Sequence, residues 1–109
     1  MSALDLGRAF LPFANRGVNP ETGAPEYAVR HAKRINSLMM TCGMYDVSGG
    51  FAYRVGLPGK SGVGGGIACV LPRHLAAGVW SPELDKTGSS LAGTAALALF
   101  TTRTGLSVF

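Results

Sequence analysis

"GLPGKSGVGGGI", residues 56–67, decides how this chain is interpreted, because six glycines surround one lysine and one serine. A phosphate-binding loop is the first hypothesis. It requires a glycine five residues before the Gly-Lys-Ser group, followed by a helix. Arg54 occupies that position, and the residues after the run are apolar and typical of a strand. The spacing therefore argues against a phosphate loop.

Two interpretations of this run remain. Glycines in a strand mark bulges or places where another backbone comes close, which is a purely structural role. Alternatively, Lys60-Ser61-Gly62 resembles the Lys-Ser-Gly or Lys-Thr-Gly triad on the wall of serine acyl-transfer sites. There the Lys60 ammonium would attract a substrate carboxylate and the Ser61 hydroxyl would bind it. The Val63 backbone N–H would stabilise an oxyanion.

The apolar periodicity predicts an α+β fold, an antiparallel sheet with helices packed on it. Ser48 and Gly56 favour a short helix between them, with a strand as the rival. Three strands are few for a complete sheet, which suggests missing sequence. The predicted elements are helices over 3–14, 25–42, 48–56 and 90–105, a turn region over 15–23, a strand at the triad, and a hairpin of 67–72 and 75–82.

Composition narrows the class of protein. The chain has 109 residues, which suits one domain or a part of one, and only 15% of them are charged. Such sparse charge indicates a surface that is partly covered by other protein. The net charge of +4 is scattered, so we predict no nucleic-acid binding. Cys42 and Cys69 are predicted to be small buried residues in a reducing, cytoplasmic protein. His31 is predicted to be solvated. We predict no membrane span, metal site or cofactor.

The flanking residues resemble the glutaminase family. "CGMYDVSGGFAYRVGLPGKSGVGGGI", residues 42–67, is similar to the family phrase "CGMYD.SG.FAYRVGLPAKSGVGGGI". "ANRGVNPETG", residues 14–23, resembles "LANGGVNP.TG", and "VWSPELDKTGSSLAG", residues 79–93, resembles "VWSP.LD..GNS..G". The resemblance runs in one collinear order from about residue 3 to the end.

This resemblance implies a β-lactamase-like fold and hydrolysis of L-glutamine to L-glutamate and ammonia through an acyl-enzyme. It implies that Tyr45 contacts the substrate and donates or relays a proton, and that Val63 supplies the oxyanion N–H. Lys60 and Ser61 correspond to the triad on the site wall. It also implies a homo-oligomer, a dimer or a tetramer.

Two positions depart from the family phrases. Gly59 replaces the usual alanine and is expected to loosen a loop slightly, while Ser89 replaces asparagine and is expected still to cap the last helix. The family's nucleophile lies in a Ser-x-x-Lys motif, and none of the serines here has lysine three residues later. We therefore expect residues 1–109 to be the C-terminal part of a glutaminase domain and to be inactive alone. The alternatives are an inactive binding or assembly module, or another β-lactamase-like amide hydrolase.

Overall fold

A computed structural model describes all residues, 1–109. The order of helices and strands matches the prediction, and the α+β class is confirmed. The elements are α1 (Ala3–Ala14), α2 (Val29–Cys42), a 3₁₀ turn (Tyr45–Val47), α3 (Ser48–Arg54), β1 (Gly59–Ser61), β2 (Gly66–Leu71), β3 (Leu75–Trp80) and α4 (Leu91–Thr104). None of the helices has both the length and the apolar character needed to cross a bilayer.

The sheet is an antiparallel meander in the order β1-β2-β3. Successive side chains of the central strand β2 point to opposite faces of the sheet. Both faces of this strand are buried. Ile67 and Cys69 point into the main core with Met44, Phe51 and Leu97. Val70 belongs to a second cluster on the other face, formed with side chains of α1 and α2. The sheet is thus a buried layer between two groups of helices.

Helix α1 lies directly across β3. Its start is fixed by a capping box in which Ser2 and Asp5 bond to each other's backbone N–H groups. A Cβ on Gly78 would lie 2.7 Å from the carbonyl oxygen of Ala3, so glycine there permits the close approach. The helix continues through Pro12 to Ala14, as the predicted range of 3–14 requires.

Helix α2 begins four residues later than predicted, at Val29. Pro25 pairs with Val18 in an isolated β-bridge, and the N–H groups of Glu26 and Tyr27 donate to a single carbonyl, that of Gly17. These bonds hold the segment in a turn, so a helix cannot include it. A local pattern could not reveal them because they join the predicted turn region to residues seven to ten positions further along the chain.

The buried face of α2 is narrow. Ala32 and Met39 are buried, whereas Leu38 and Cys42 are exposed. The expectation of a buried Cys42 was therefore wrong, because only a thin stripe of this helix packs against α1, α3 and β1. Cys69 is buried as predicted, and that burial raises the pKa of its thiol to about 12.

The short helix α3 and the last helix α4 both form, so the strand alternative for residues 48–56 was wrong. Ser48 is the first helical residue rather than the cap, and its hydroxyl accepts the Met44 N–H. Ser90 caps α4 by accepting the N–H of Gly93, and Gly105 ends it at φ 71°. Small residues on α4 were expected to let it lie close to the sheet, but Ala92, Ala95 and Ala96 are exposed and Gly93 alone among these four is buried.

Candidate functional site

The site lies where the end of α2 meets strand β1. The Ser61 N–H donates to the Gly43 carbonyl over 3.1 Å, which joins the two elements. An added Cβ on Gly43 would lie only 1.9 Å from the Gly59 carbonyl oxygen. Glycine is therefore needed at this contact. The chain then turns at Tyr45, whose φ of 53° is in the left-handed region that non-glycine residues rarely adopt.

Tyr45 and Lys60 are brought together at this contact. The Lys60 Nζ lies 4.7 Å from the centroid of the Tyr45 ring, within the range of a cation–π interaction. The same ammonium donates a hydrogen bond to the Ser61 carbonyl. Tyr45 is 42% exposed, so its phenol remains open to a bound molecule. A positive charge and a phenol O–H are thus presented side by side.

Ser61 is placed differently from its neighbour Lys60. Alternation along β1 sends the two side chains to opposite faces, and the Ser61 side chain shares the face of its partner Ile67. The residue is only 3% exposed, and its Oγ has no hydrogen-bond partner. A buried hydroxyl without a partner is unusual in folded proteins. In this arrangement a bound molecule can reach the Ser61 hydroxyl only if its neighbours shift.

Val63 lies at the tip of the turn that links β1 to β2. The Gly62 N–H donates to the Gly66 carbonyl and the Gly65 N–H donates to the Gly62 carbonyl, which closes the turn. The Val63 N–H takes no part in these bonds, and the residue is 73% exposed. The turn therefore presents a free backbone donor, as an oxyanion site requires.

Trp80 holds this glycine turn in place from β3. Its indole Nε1–H donates to the Gly64 carbonyl over 2.9 Å. An added Cβ on Gly65 would lie 2.3 Å from the Ser81 carbonyl oxygen, and its φ is 94°. Close approach and left-handed backbone thus explain this glycine, so the structural interpretation of the run holds alongside the functional one.

A loop between β3 and α4 completes the site, and the sequence reasoning assigned it no functional role. A Cβ added at Gly88 would lie 3.8 Å from both the Tyr45 ring and the Val63 side chain. Asp85 shapes this loop. Its carboxylate accepts from the hydroxyl and N–H of Thr87, and the hydroxyl bond is the main cause that lowers the Asp85 pKa. A sequence signal for this loop did exist, because residues 79–93 resemble one of the family phrases.

A cavity of about 250 Å³ opens beside Lys60 on the α1 side of the sheet. Glycines 62, 64 and 66 form one wall, and Leu6, Phe10 and Trp80 line the apolar remainder. The absence of side chains on the glycines leaves room next to the lysine. No group of three or more His, Cys, Asp or Glu side chains is arranged to bind a metal ion.

Neither departure from the family phrases acts as expected. Gly59 lies in β1 and not in a loop, and an added Cβ there would lie 2.9 Å from the Phe51 ring. The glycine therefore lets Phe51 pack closely against the strand. Ser89 does not cap α4, since Ser90 does; the Ser89 hydroxyl is buried without a partner.

Comparisons with known proteins agree with this picture. The Glutaminase family model matches residues 1–109. A glutaminase of Aeromonas salmonicida is 58% identical over the whole chain, and one of Aliarcobacter butzleri is 57% identical. This chain spans 36% of the length of each.

Solved structures give the same result. A Bacillus subtilis glutaminase, YbgJ, in covalent complex with 5-oxo-L-norleucine superimposes with a TM-score of 0.96 at 34% identity. All of this chain and 40% of that one are covered. The probable glutaminase ybaS gives 0.94 at 39% identity, with 35% of its chain covered. The fold is thus the corresponding part of the β-lactamase-like fold of these enzymes. With a full-length family match and relatives of this similarity, the chain belongs to the glutaminase family.

Proposed function

We propose that this chain supplies one wall of a site that hydrolyses L-glutamine to L-glutamate and ammonia. The observation that carries the proposal is the Lys60 ammonium beside the Tyr45 ring, next to the free Val63 N–H. In the proposed reaction Lys60 raises the local positive potential and Tyr45 donates or relays a proton. The Val63 N–H stabilises the oxyanion. The Ser61 hydroxyl binds the substrate carboxylate once its neighbours have shifted to expose it.

The attacking serine and its lysine base come from residues outside these 109, because no Ser-x-x-Lys motif is present. Serine Oγ would attack the side-chain amide carbon, the C–N bond would break and ammonia would leave. Water would then cleave the ester to release glutamate and free serine. The covalent 5-oxo-L-norleucine complex of the Bacillus relative supports this route, since that compound has a carbonyl at carbon 5, as glutamine does.

We further propose that residues 1–109 are the C-terminal part of a single glutaminase domain, because the chain spans 36% of its relatives' length. Exposed Leu91, Leu99 and Phe100 on α4 support contact with further protein, including a homo-oligomer. Light scattering of the assembled protein tests the oligomer, and a purely monomeric mass would contradict it. Cys42 and Cys69 are both free thiols, which supports a cytoplasmic location.

The test joins this chain to the preceding segment of the Aeromonas salmonicida relative and measures ammonia release from glutamine. Lys60→Ala and Tyr45→Phe are expected to lower turnover by about 10²-fold or more. Lys33→Ala and Tyr53→Phe remove the same groups at exposed positions and are expected to leave turnover unchanged. Wild-type rates from Lys60→Ala or Tyr45→Phe would refute the role assigned to that residue.

The 109-residue chain alone is expected to release no ammonia, and release by the purified chain would contradict the missing-nucleophile argument. The upstream DNA distinguishes this proposal from an inactive binding module. An in-frame Ser-x-x-Lys segment before Met1 supports the enzyme, whereas a stop codon and promoter there support the module.

A further inference from the structure

A second cavity, of about 230 Å³, lies between the end of α1, the first turns of α2 and the β2–β3 turn. We call it the cationic cavity. Phe13, Ala32 and Pro72 contribute an apolar floor, and Arg16, Lys33 and Arg73 form its rim. No aspartate or glutamate lines it. An apolar pocket with a rim of a single charge sign has the character of a site for an amphipathic anion.

The three rim cations have no carboxylate partner within the protein. The single ion pair of the chain joins Arg8 to Glu21, outside this cavity. Positive charges grouped around one apolar hollow repel each other, and a bound anion would offset that repulsion. The charge of the cavity is therefore uncompensated in the isolated chain.

Backbone conformation gives an independent observation. Three non-glycine residues have positive φ, and two of them are Arg16 at 59° and Arg73 at 71°. The third is Tyr45, at the site described above. Left-handed backbone is costly for a side chain such as arginine, and such residues cluster at functional sites. The family phrase quoted above has glycine at the position of Arg16, so this chain carries a cation where glycine would be free of strain.

Asn36 ties the wall of the cavity to α1. Its amide Nδ2 donates to the Phe13 carbonyl over 2.9 Å, which fixes the orientation of the side chain. Its Oδ1 has no donor in the protein and is closed off from the cavity as it is from water. The polar recognition of a ligand therefore rests on the three rim cations.

We propose that the cationic cavity binds a small carboxylate with an apolar body. The carboxylate would lie among Arg16, Lys33 and Arg73, and the apolar body would lie against Phe13, Ala32 and Pro72. A cavity of about 150 Å³ is enough to hold benzene, so one aromatic ring fits here. Ile67 and Ala68 pair with the triad at one end of β2, and the cavity lies beyond its other end, about 16 Å along the strand. The proposal is independent of the glutamine site.

The test titrates the 109-residue chain with 4-hydroxybenzoate and follows backbone amide NMR signals. Shifts are expected in residues 13–16, 29–36 and 72–73, and not at Tyr45 or Lys60. 4-Hydroxybenzyl alcohol lacks the negative charge, so it is expected to bind at least about threefold more weakly. Added salt is expected to weaken the binding of 4-hydroxybenzoate and to leave the binding of the neutral alcohol unchanged.

Arg16→Gly and Arg73→Gly are the decisive variants, because glycine relieves the left-handed backbone at both positions and the fold is retained. Each is expected to weaken 4-hydroxybenzoate binding at least about threefold. Arg103→Ala removes the same charge from α4 and is expected to bind as wild type. The proposal is overturned by unchanged affinity in both glycine variants, by equal binding of the neutral alcohol, by shifts confined to the Tyr45 region, or by no shifts at about 10 mM ligand.

Discussion

Gly43→Ala is expected to destabilise the fold strongly, because Gly43 joins α2 to the strand that carries Lys60. An added Cβ would lie 1.9 Å from the Gly59 carbonyl oxygen and 2.6 Å from that of Met39. Backbone atoms cannot rotate away, so helix and strand must separate by more than 1 Å to restore an ordinary contact of about 3.4 Å. The 3.1 Å bond from the Ser61 N–H to the Gly43 carbonyl would be lost in that movement.

Two terms set the magnitude of this effect. Forcing an extra carbon into packed structure costs about 1–3 kcal/mol. Leaving a buried backbone donor without a partner costs about 1–3 kcal/mol more. The free energy of unfolding should therefore fall by about 2–6 kcal/mol, a large share of the roughly 5–15 kcal/mol typical of a domain.

Urea denaturation followed by circular dichroism measures the difference between variant and wild type. Gly50→Ala is the matched control, since it adds the same methyl group inside α3 where nothing lies within 4 Å. It is expected to stabilise the helix by up to about 1 kcal/mol. A Gly43→Ala midpoint equal to that of wild type, with an unchanged denaturant slope, would refute the contact described here.

Three further predictions concern other groups. Ser90→Ala should lower the free energy of unfolding by about 1–3 kcal/mol in the same assay, because a buried helix cap and both of its hydrogen bonds are lost. Ser90→Thr keeps a hydroxyl and should restore part of the lost stability. The Thr87 hydroxyl holds the Asp85 pKa low, so the ionised Asp85 carboxylate stabilises the folded state. That stabilisation is present above the unfolded pKa of Asp85 and is lost as pH falls through its folded pKa. Wild type should thus lose stability between pH 5 and pH 3 more steeply than Asp85→Asn, and parallel losses would contradict the assignment. Ellman's reagent should titrate Cys42 in the folded chain and Cys69 only after unfolding, because Cys69 is buried; rapid reaction of two thiols in the folded chain would show that the core is open.

Local signals predicted most of the fold. Pro72 and Pro82 mark the ends of the two apolar runs of the hairpin, and both strands end within two residues of those prolines. Ser90 and Gly105 mark the two ends of α4, through cap conformations that depend on nearby residues alone. Such signals succeed because a strand end or a helix cap is decided within a few positions of the chain.

The rest depended on contacts between distant residues. The late start of α2 follows from the pairing of Pro25 with Val18, and the exposure of Cys42 follows from how little of the helix is covered. That Lys60 and Tyr45 belong to one site was expected only through family resemblance, and their direct contact was not predicted, since it requires the packing of α2 on β1. No periodicity brings Arg73 to the end of α1, 57 residues from Arg16.

The meander of the sheet has a consequence for the order of folding. Each strand pairs with its neighbour in sequence, and the farthest partners, Gly66 and Trp80, are 14 residues apart. Contacts of short sequence separation close small loops and form quickly. Helix α1 instead contacts β3 across some 70 residues, as Gly7 does with Gly78. The hairpin is therefore expected to form in the folding transition state and α1 to dock afterwards. In stopped-flow experiments Gly78→Ala should mainly speed unfolding, and an equal slowing of refolding would reverse that order.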